Sequence, residues 1–225
     1  MNKIVIFTGA GISAESGLST FRDSGGLWDE YKIEDVATYE AFVRNPALVL
    51  EFYNIRRRQL LNSYPNAAHI ALNKLEHKFN VSIITQNIDD LHERSGSKNV
   101  LHLHGKIRES RSVINNKIYQ IDGSELNIGD KCEEGGQLRP NVVWFGEDVP
   151  EIENAIQQVI KSDIFIIIGT SLNVYPAASL IDYAELAKRI IIDPNSQSYE
   201  GIEVIKEKAT VAVPKLVDQL LYSIN

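Results

Sequence analysis

The segment Ile4-Val5-Ile6-Phe7-Thr8-Gly9-Ala10-Gly11 constrains this chain more than any other. An uninterrupted apolar run ending in glycines fits a strand buried on both faces that feeds a tight turn, and Ile12, Ala14 and Glu15 suit a helix start beyond it. Strands of that kind occur in parallel sheets with helices on both sides. Glycine at 9 and 11 lets backbone N–H groups approach a pyrophosphate, while the following helix turns its positive end toward the same anion. The usual dinucleotide spacing has a third glycine where Ala14 stands, and the next glycine here is Gly17. Glycines in such a turn also serve purely structural ends.

At 225 residues the chain suffices for one sizeable core, or for a main domain with a smaller inserted one. A net charge of -7 argues against sequence-independent binding of nucleic acid through phosphate neutralisation. No apolar run of about 18 residues is present, so no membrane span is expected. A core strand almost at residue 1, in place of a cleavable signal, together with a single cysteine, Cys132, points to the cytoplasm.

Between Lys32 and Tyr64 apolar residues recur at helical spacing, which predicts a helical insertion. It carries Tyr53 and Arg56, three apart and so on one helix face, where a phenol and a guanidinium together can clasp a carboxylate. The plainer reading is a packing tyrosine beside an exposed Arg56-Arg57-Arg58 run. Ala67 to Lys78 reads as an amphipathic helix and Val81 to Thr85 as a buried strand. Asn87 and Asp89 follow at that strand's carboxyl end, where open α/β sheets bind ligands; a helix N-cap at Asp89 or Asp90 competes. His102 and His104 alternate with leucines on one strand face, as a metal pair, an incidental polar face, or a general base with a helper. No cluster of further ligands accompanies them, which weakens the metal reading. Imidazole suits a base because its unperturbed pKa lies near neutrality.

Ser112 to Ile121 predicts a hairpin turning at Asn115-Asn116, and 123–136 a loop. Arg139 to Glu147 reads as a short apolar strand whose rings either wall an alkyl tunnel or form a core edge. Asp163 to Ile168 predicts another buried strand, ending at Gly169-Thr170-Ser171, whose N–H and hydroxyl groups suit phosphate or ribose. Val174 starts a further helix, 189–193 is a strand, and Pro214 to Leu221 is the last helix.

Gly9 to Gly17 with Thr20-Phe21-Arg22-Asp23, then Gln86-Asn87-Ile88-Asp89, His104-Gly105 and Arg139 to Glu147, resemble the sirtuins, NAD-dependent protein-lysine deacylases, over almost the whole chain. The resemblance implies a Rossmann-like parallel sheet with helices on both faces (1–31, 65–105 and 140–225). Two insertions (32–64 and 106–139) would form a small domain. It implies NAD contacts at Gly9, Ala10, Gly11, Ser13, Glu15, Thr20, Phe21 and Arg22, at Gln86, Asn87, Ile88 and Asp89 around the nicotinamide and its ribose, and at Gly169, Thr170 and Ser171. Asp193, where the family more often has Asn, would accept from a ribose hydroxyl, and Ala209 would lie beside the adenine. His104 becomes the general base, His102 stays structural, and Asn87 and Asp89 join the catalytic set. Val143, Phe145 and Gly146 would hold an acyl-lysine peptide as an added strand. Tyr53 and Arg56, with small Ala37, resemble members that remove acidic acyl groups such as succinyl and malonyl.

The family usually carries two cysteine pairs around a structural zinc. The lone Cys132 cannot build that site, and Val113, Ile114, Ile118 and Ile121 are expected to replace it with apolar packing. The implied partners are acylated-lysine proteins or peptides, with no nucleic acid and no membrane. Competing functions are an NAD glycohydrolase or ADP-ribosyltransferase, and a non-catalytic module binding NAD or peptide.

Overall fold

The structure, a computed structural model, describes residues 2–18 and 30–223. Strand β1 (Lys3–Thr8) runs through Gly9 into a one-turn helix, α1 (Gly11–Ala14). Next come α2 (Ile33–Val36), α3 (Tyr39–Arg44) and α4 (Pro46–Leu61). Helix α5 (Ala67–Lys74) leads to β2 (Asn80–Thr85), and α6 (Leu91–Arg94) to β3 (Val100–His102). Strands β4 (Gly105–Ser112), β5 (Ile118–Gln120) and β6 (Leu138–Val142) follow. The chain closes with α7 (Ile152–Ile160), β7 (Ile164–Ile168), a 3-10 helix (Ala177–Tyr183), β8 (Lys188–Ile192), β9 (Glu203–Ile205) and α8 (Ala209–Tyr222).

The large sheet has the order β3-β2-β1-β7-β8-β9, and every neighbouring pair is parallel. Successive side chains point to opposite faces, and both faces are apolar, which explains why these strands read as continuous hydrophobic runs. Ile4, Ile6, Ile166, Ile168 and Ile190 pack toward α5 and α8, whereas Val5, Phe7, Phe165, Ile167 and Ile191 pack toward α7 and the 3-10 helix. The chain leaves β1 toward β2 on one side and returns at β7 on the other. The switch point therefore lies between the carboxyl ends of β1 and β7, where open α/β sheets take ligands.

Helix α8 starts at Ala209, five residues before the expected Pro214, which lies inside it. Ala209, Ala212 and Val213 are buried in the sheet core, so tertiary burial outweighs the hydrogen bond that proline removes. Beyond Val174, the expected helix is the 3-10 helix from Ala177. Helix α4 is capped at its start by the Asn45 side chain, which accepts from the Leu48 N–H, and carries Pro46 in its first turn.

The small domain pairs α2, α3 and α4 with the antiparallel sheet β5-β4-β6 around Phe42, Phe52, Leu60, Ile107, Ile121 and Trp144. Strand β6 crosses residue 139, where a domain seam was expected, and continues to Val142 opposite Gly105. The hairpin forms with Asn116 in the left-handed region (φ 57°), as its Asn-Asn turn requires. Its apolar side chains do not build the core expected of them. Val113, Ile114 and Ile118 are 40%, 55% and 54% exposed, and only Ile121, at 6%, is buried. Val113 faces an open groove of about 300 Å³ beside Tyr39, Val43 and Ile128.

Polar side chains hold this region instead. Fully buried Arg57 donates from Nε to the Ile107 carbonyl (2.8 Å) and from Nη1 to the Ser124 carbonyl (2.6 Å) and Asn54 Oδ1 (2.8 Å). Asn54 in turn accepts from the Leu126 N–H (3.0 Å) and donates to its carbonyl (3.2 Å). One helix face thus ties the 124–126 loop to β4. Burial lowers the Arg57 guanidinium to about 10, which leaves it charged at neutral pH. Cys132 is buried and its sulfur accepts from the Ser112 hydroxyl at 3.3 Å. Among the described residues no group of three or more His, Cys, Asp or Glu side chains is arranged to hold a metal ion, so they do not fit the family's zinc.

Arg57→Met strips donors from the carbonyls of Ile107 and Ser124. It is expected to cost about 1–3 kcal/mol, read as a fall of several degrees in Tm. A strong chelator should change neither Tm nor activity; one zinc per chain by elemental analysis would contradict a metal-free small domain.

Candidate active site

The cleft is built first from backbone. The Gly11 N–H donates to the Gly169 carbonyl at 2.8 Å, joining the loops after β1 and β7. A Cβ at Gly9 would stand 2.7 Å from the Gly169 oxygen, and one at Gly11 would stand 2.7 Å from the Gly169 Cα. These glycines let two loops touch at the switch point, a use beyond the phosphate access expected of them. Gly169 itself has φ 62°, a left-handed backbone that glycine adopts without strain.

Around this cradle the polar side chains converge. Ser13 donates to Asp89 Oδ2 (3.0 Å), and Asn87 Nδ2 reaches the Gly9 carbonyl (3.1 Å) and Ser13 Oγ (3.3 Å). Asp89 Oδ1 accepts from the Leu91 N–H at 3.1 Å, so the N-cap-like contact and the cleft position hold together. Burial raises the Asp89 carboxyl above the ordinary value, against the hydrogen bonds from Leu91 and Ser13. Gln86 accepts from Thr170 Oγ1 at 2.9 Å, which links the turns after β2 and β7. The Asn87 N–H donates to Thr85 Oγ1, which also accepts from Thr8. Behind Thr8 stands His92 (3.0 Å), packed edge-on to His69; burial lowers these rings to about 3 and 4, so both stay neutral.

His104 Nδ1 lies 3.0 Å from the Gln86 carbonyl, which only accepts. The proton therefore sits on Nδ1 and leaves the Nε2 lone pair bare, the form a general base needs. Burial lowers the His104 pKa, partly offset by the bond to Gln86. Gly105 must be glycine for a second reason: at φ 78°, an added Cβ would overlap the Asn141 carbonyl.

The expected substrate side lies on the small domain. Tyr53 is buried, and its hydroxyl accepts from Trp144 Nε1 at 2.9 Å, which leaves the phenolic proton to donate elsewhere. The Arg56 guanidinium stands 5.8 Å over the Phe52 ring and 6.0 Å over the Tyr53 ring, close enough to Asp89 for their charges to interact. Ala37 is buried, and its carbonyl accepts from the Phe145 N–H at 3.0 Å; the Val143 N–H donates to the His104 carbonyl at 3.0 Å. Phe145 and Gly146 are exposed. Sequence reasoning gave no role to the clamp behind this loop. Arg139 grips both Glu147 oxygens (2.6 and 2.8 Å) and stacks 3.5 Å from the Trp144 ring centroid, while Arg111 and the Trp144 N–H also donate to Glu147. Nothing periodic in the sequence joins Arg139 to Glu147.

Other expected contacts are placed less directly. Glu15 accepts from Thr210 Oγ1 at 2.6 Å and so caps α8, bringing buried Ala209 beside the glycine turn. Asp193 Oδ1 accepts from the Asn195 N–H in its own turn (2.8 Å), and Ser171 is exposed. Ala10 and Ile88 lie within the two loops, Ile88 buried against the small domain. Thr20, Phe21 and Arg22 lie outside the described residues.

A parallel sheet with a glycine turn at its switch point, and polar side chains and a histidine gathered past its strand ends, is the arrangement of a dinucleotide-dependent enzyme fold. NAD fits the chemistry of these residues: the turn after β1 is rich in glycine, and Ser13, Asn87 and Asp89 bring hydroxyl, amide and carboxyl groups together beside it, the donors and acceptors a ribose needs. The Sir2 family profile matches residues 9–176. A protein of Bacteroides thetaiotaomicron named NAD-dependent protein deacylase is 51% identical over 231 residues, covering 98% of this chain and 99% of that one. A crystal structure of a Sir2 homologue–NAD complex has TM-score 0.89 at 38% identity and covers 99% of this chain and 91% of its own. A Sir2 variant solved with a deacetylated p53 peptide and 3′-O-acetyl ADP-ribose has TM-score 0.81 at 31% identity, covering 98% of this chain and 92% of that one. The chain belongs to the Sir2 family, the sirtuins.

Because burial disfavours its charged form, His104 stays neutral to lower pH than a free histidine. The acid limb of kcat/KM is therefore expected below the ordinary value of 6.5. A limb above that value would mean that another group, or a protonated His104, limits the reaction.

Proposed function

We propose that this chain, an NAD-dependent protein deacylase, removes acidic acyl groups (succinyl, malonyl) as well as acetyl from lysine in proteins or peptides. The observation that carries the acidic preference is the Tyr53 hydroxyl, which accepts from the Trp144 N–H and so keeps its own proton available to donate, on the same helix three residues before Arg56. A carboxylate meeting both groups receives a charged fork and one further donor. Ala37, packed in the same core cluster as Tyr53, adds only a methyl group to it.

NAD would supply the ribose carbon that the acyl oxygen joins as the bond to nicotinamide breaks, and one water completes the balance: acyl-lysine, NAD and water give free lysine, nicotinamide and O-acyl-ADP-ribose. His104 Nε2 takes a proton from a ribose hydroxyl. Asn87 and Asp89, fixed through Ser13 and the Gly9 carbonyl, orient the ribose and nicotinamide, with Gln86 beside them. Val143, Phe145 and Gly146 receive the acyl-lysine, and the peptide backbone adds alongside them. Following nicotinamide release from NAD, with and without a succinylated peptide, tests this reading: release without peptide favours a glycohydrolase, and none with peptide favours a binding module.

His104→Ala is expected to leave NAD binding intact and to cut turnover by about 10²- to 10⁴-fold, the contribution of a positioned base. Unchanged turnover removes His104 from the mechanism. Arg56→Met should lower kcat/KM for a succinyl-lysine peptide by on the order of 10²-fold or more, since an unpaired buried carboxylate costs roughly 3–5 kcal/mol. Deacetylation should change by less than about tenfold, and Tyr53→Phe should act in the same direction more weakly. Equal losses on both substrates would sink the acidic-acyl reading.

A further inference from the structure

The two histidines of Leu101-His102-Leu103-His104 hold neighbouring carbonyls. His104 Nδ1 meets the oxygen of Gln86 at 3.0 Å, and His102 Nδ1 meets that of Asn87 at 2.9 Å. They differ in what faces the other ring nitrogen. His102 Nε2 lies 2.8 Å from Glu93 Oε1, so both of its nitrogens face groups that accept. With Glu93 ionised, only a ring protonated on both nitrogens donates to both. The ring is 8% exposed, so water does not readily replace either partner.

We propose that His102 is a positioning residue of this site: as an imidazolium braced by Glu93, it holds the Asn87 carbonyl and thereby the Asn87–Asp89 segment in its working orientation. This deepens the reading of Asn87, Asp89 and His104 given above and rests on it. The neighbouring charges agree with the arrangement. Burial raises the Glu93 carboxyl, but the hydrogen bond and charge of His102, with Lys106 at 3.2 Å, outweigh burial and hold it at about 2. Asp89 is a second carboxyl near the ring, and His92, the other titratable group beside it, is held neutral by burial. Two histidines two residues apart thus take opposite forms, one charged and structural in its grip, one neutral and basic. A charge-assisted donor grips the Asn87 carbonyl more firmly than a neutral one.

The protonation form is read without any substrate, from long-range proton–nitrogen spectra of the histidine rings near neutral pH. Two protonated nitrogens are expected on His102 and one bare nitrogen on His104, with Glu93→Gln returning a bare nitrogen to His102. A bare nitrogen on His102 in the unaltered protein overturns the proposal, whether or not the protein deacylates a peptide. His102→Leu should lower kcat by on the order of 10- to 100-fold, with KM for NAD shifted less than about threefold. His102→Gln, which keeps one donor for the Asn87 carbonyl, should recover part of that loss. Equal losses in the Leu and Gln variants, or a loss carried by KM alone, would show a merely structural ring. If His102→Leu does not fold, the spectra of the unaltered protein still decide.

Discussion

The contact on which the rest depends is the meeting of two loops at the switch point, Gly9-Ala10-Gly11 against Gly169-Thr170. Side chains at these positions would push the carboxyl ends of β1 and β7 apart. With glycine the two strands stay paired through Thr8 and Ile168, and the polar cluster of Ser13, Asn87 and Asp89 assembles beside the seam.

The second dependence runs through Trp144. Its ring is stacked by Arg139, tilted against Phe42, and hydrogen-bonded to Tyr53, while its backbone N–H joins three donors from two arginines on Glu147. Burial would raise the Glu147 carboxyl, yet those bonds and charges hold it below the ordinary value. This charged cluster fixes a loop in one place, and that loop carries Val143, whose N–H donates to the His104 carbonyl. The same principle holds the second insertion, where Arg57 and Asn54 from one helix face tie β4 and the 124–126 loop through carbonyl contacts.

The site therefore sits between a rigid parallel sheet and a small domain bound mainly by directional polar contacts. Its chemistry follows from environment more than from residue type. Four histidines near the cleft, His69, His92, His102 and His104, differ in what their nitrogens face, and those partners give each a different environment.

The sequence by itself determined the layers: the runs at 4–7, 83–84 and 164–168 are apolar on both strand faces, the pattern of a helix-covered parallel sheet. It also determined where ligands bind, because glycines and polar residues cluster just past those strands. Local pattern carried this much since strand burial and turn chemistry act over a few residues. What joins distant positions was decided only by the tertiary structure. Arg57 meets Ile107 and Ser124, Tyr53 meets Trp144, and Glu15 caps a helix that begins at Ala209, contacts with no periodicity to reveal them. The hairpin isoleucines look like core by hydrophobicity and lie exposed by position. His102 and His104 look alike in sequence, and the acceptors that tell them apart come from residues 86, 87 and 93, placed there by the fold.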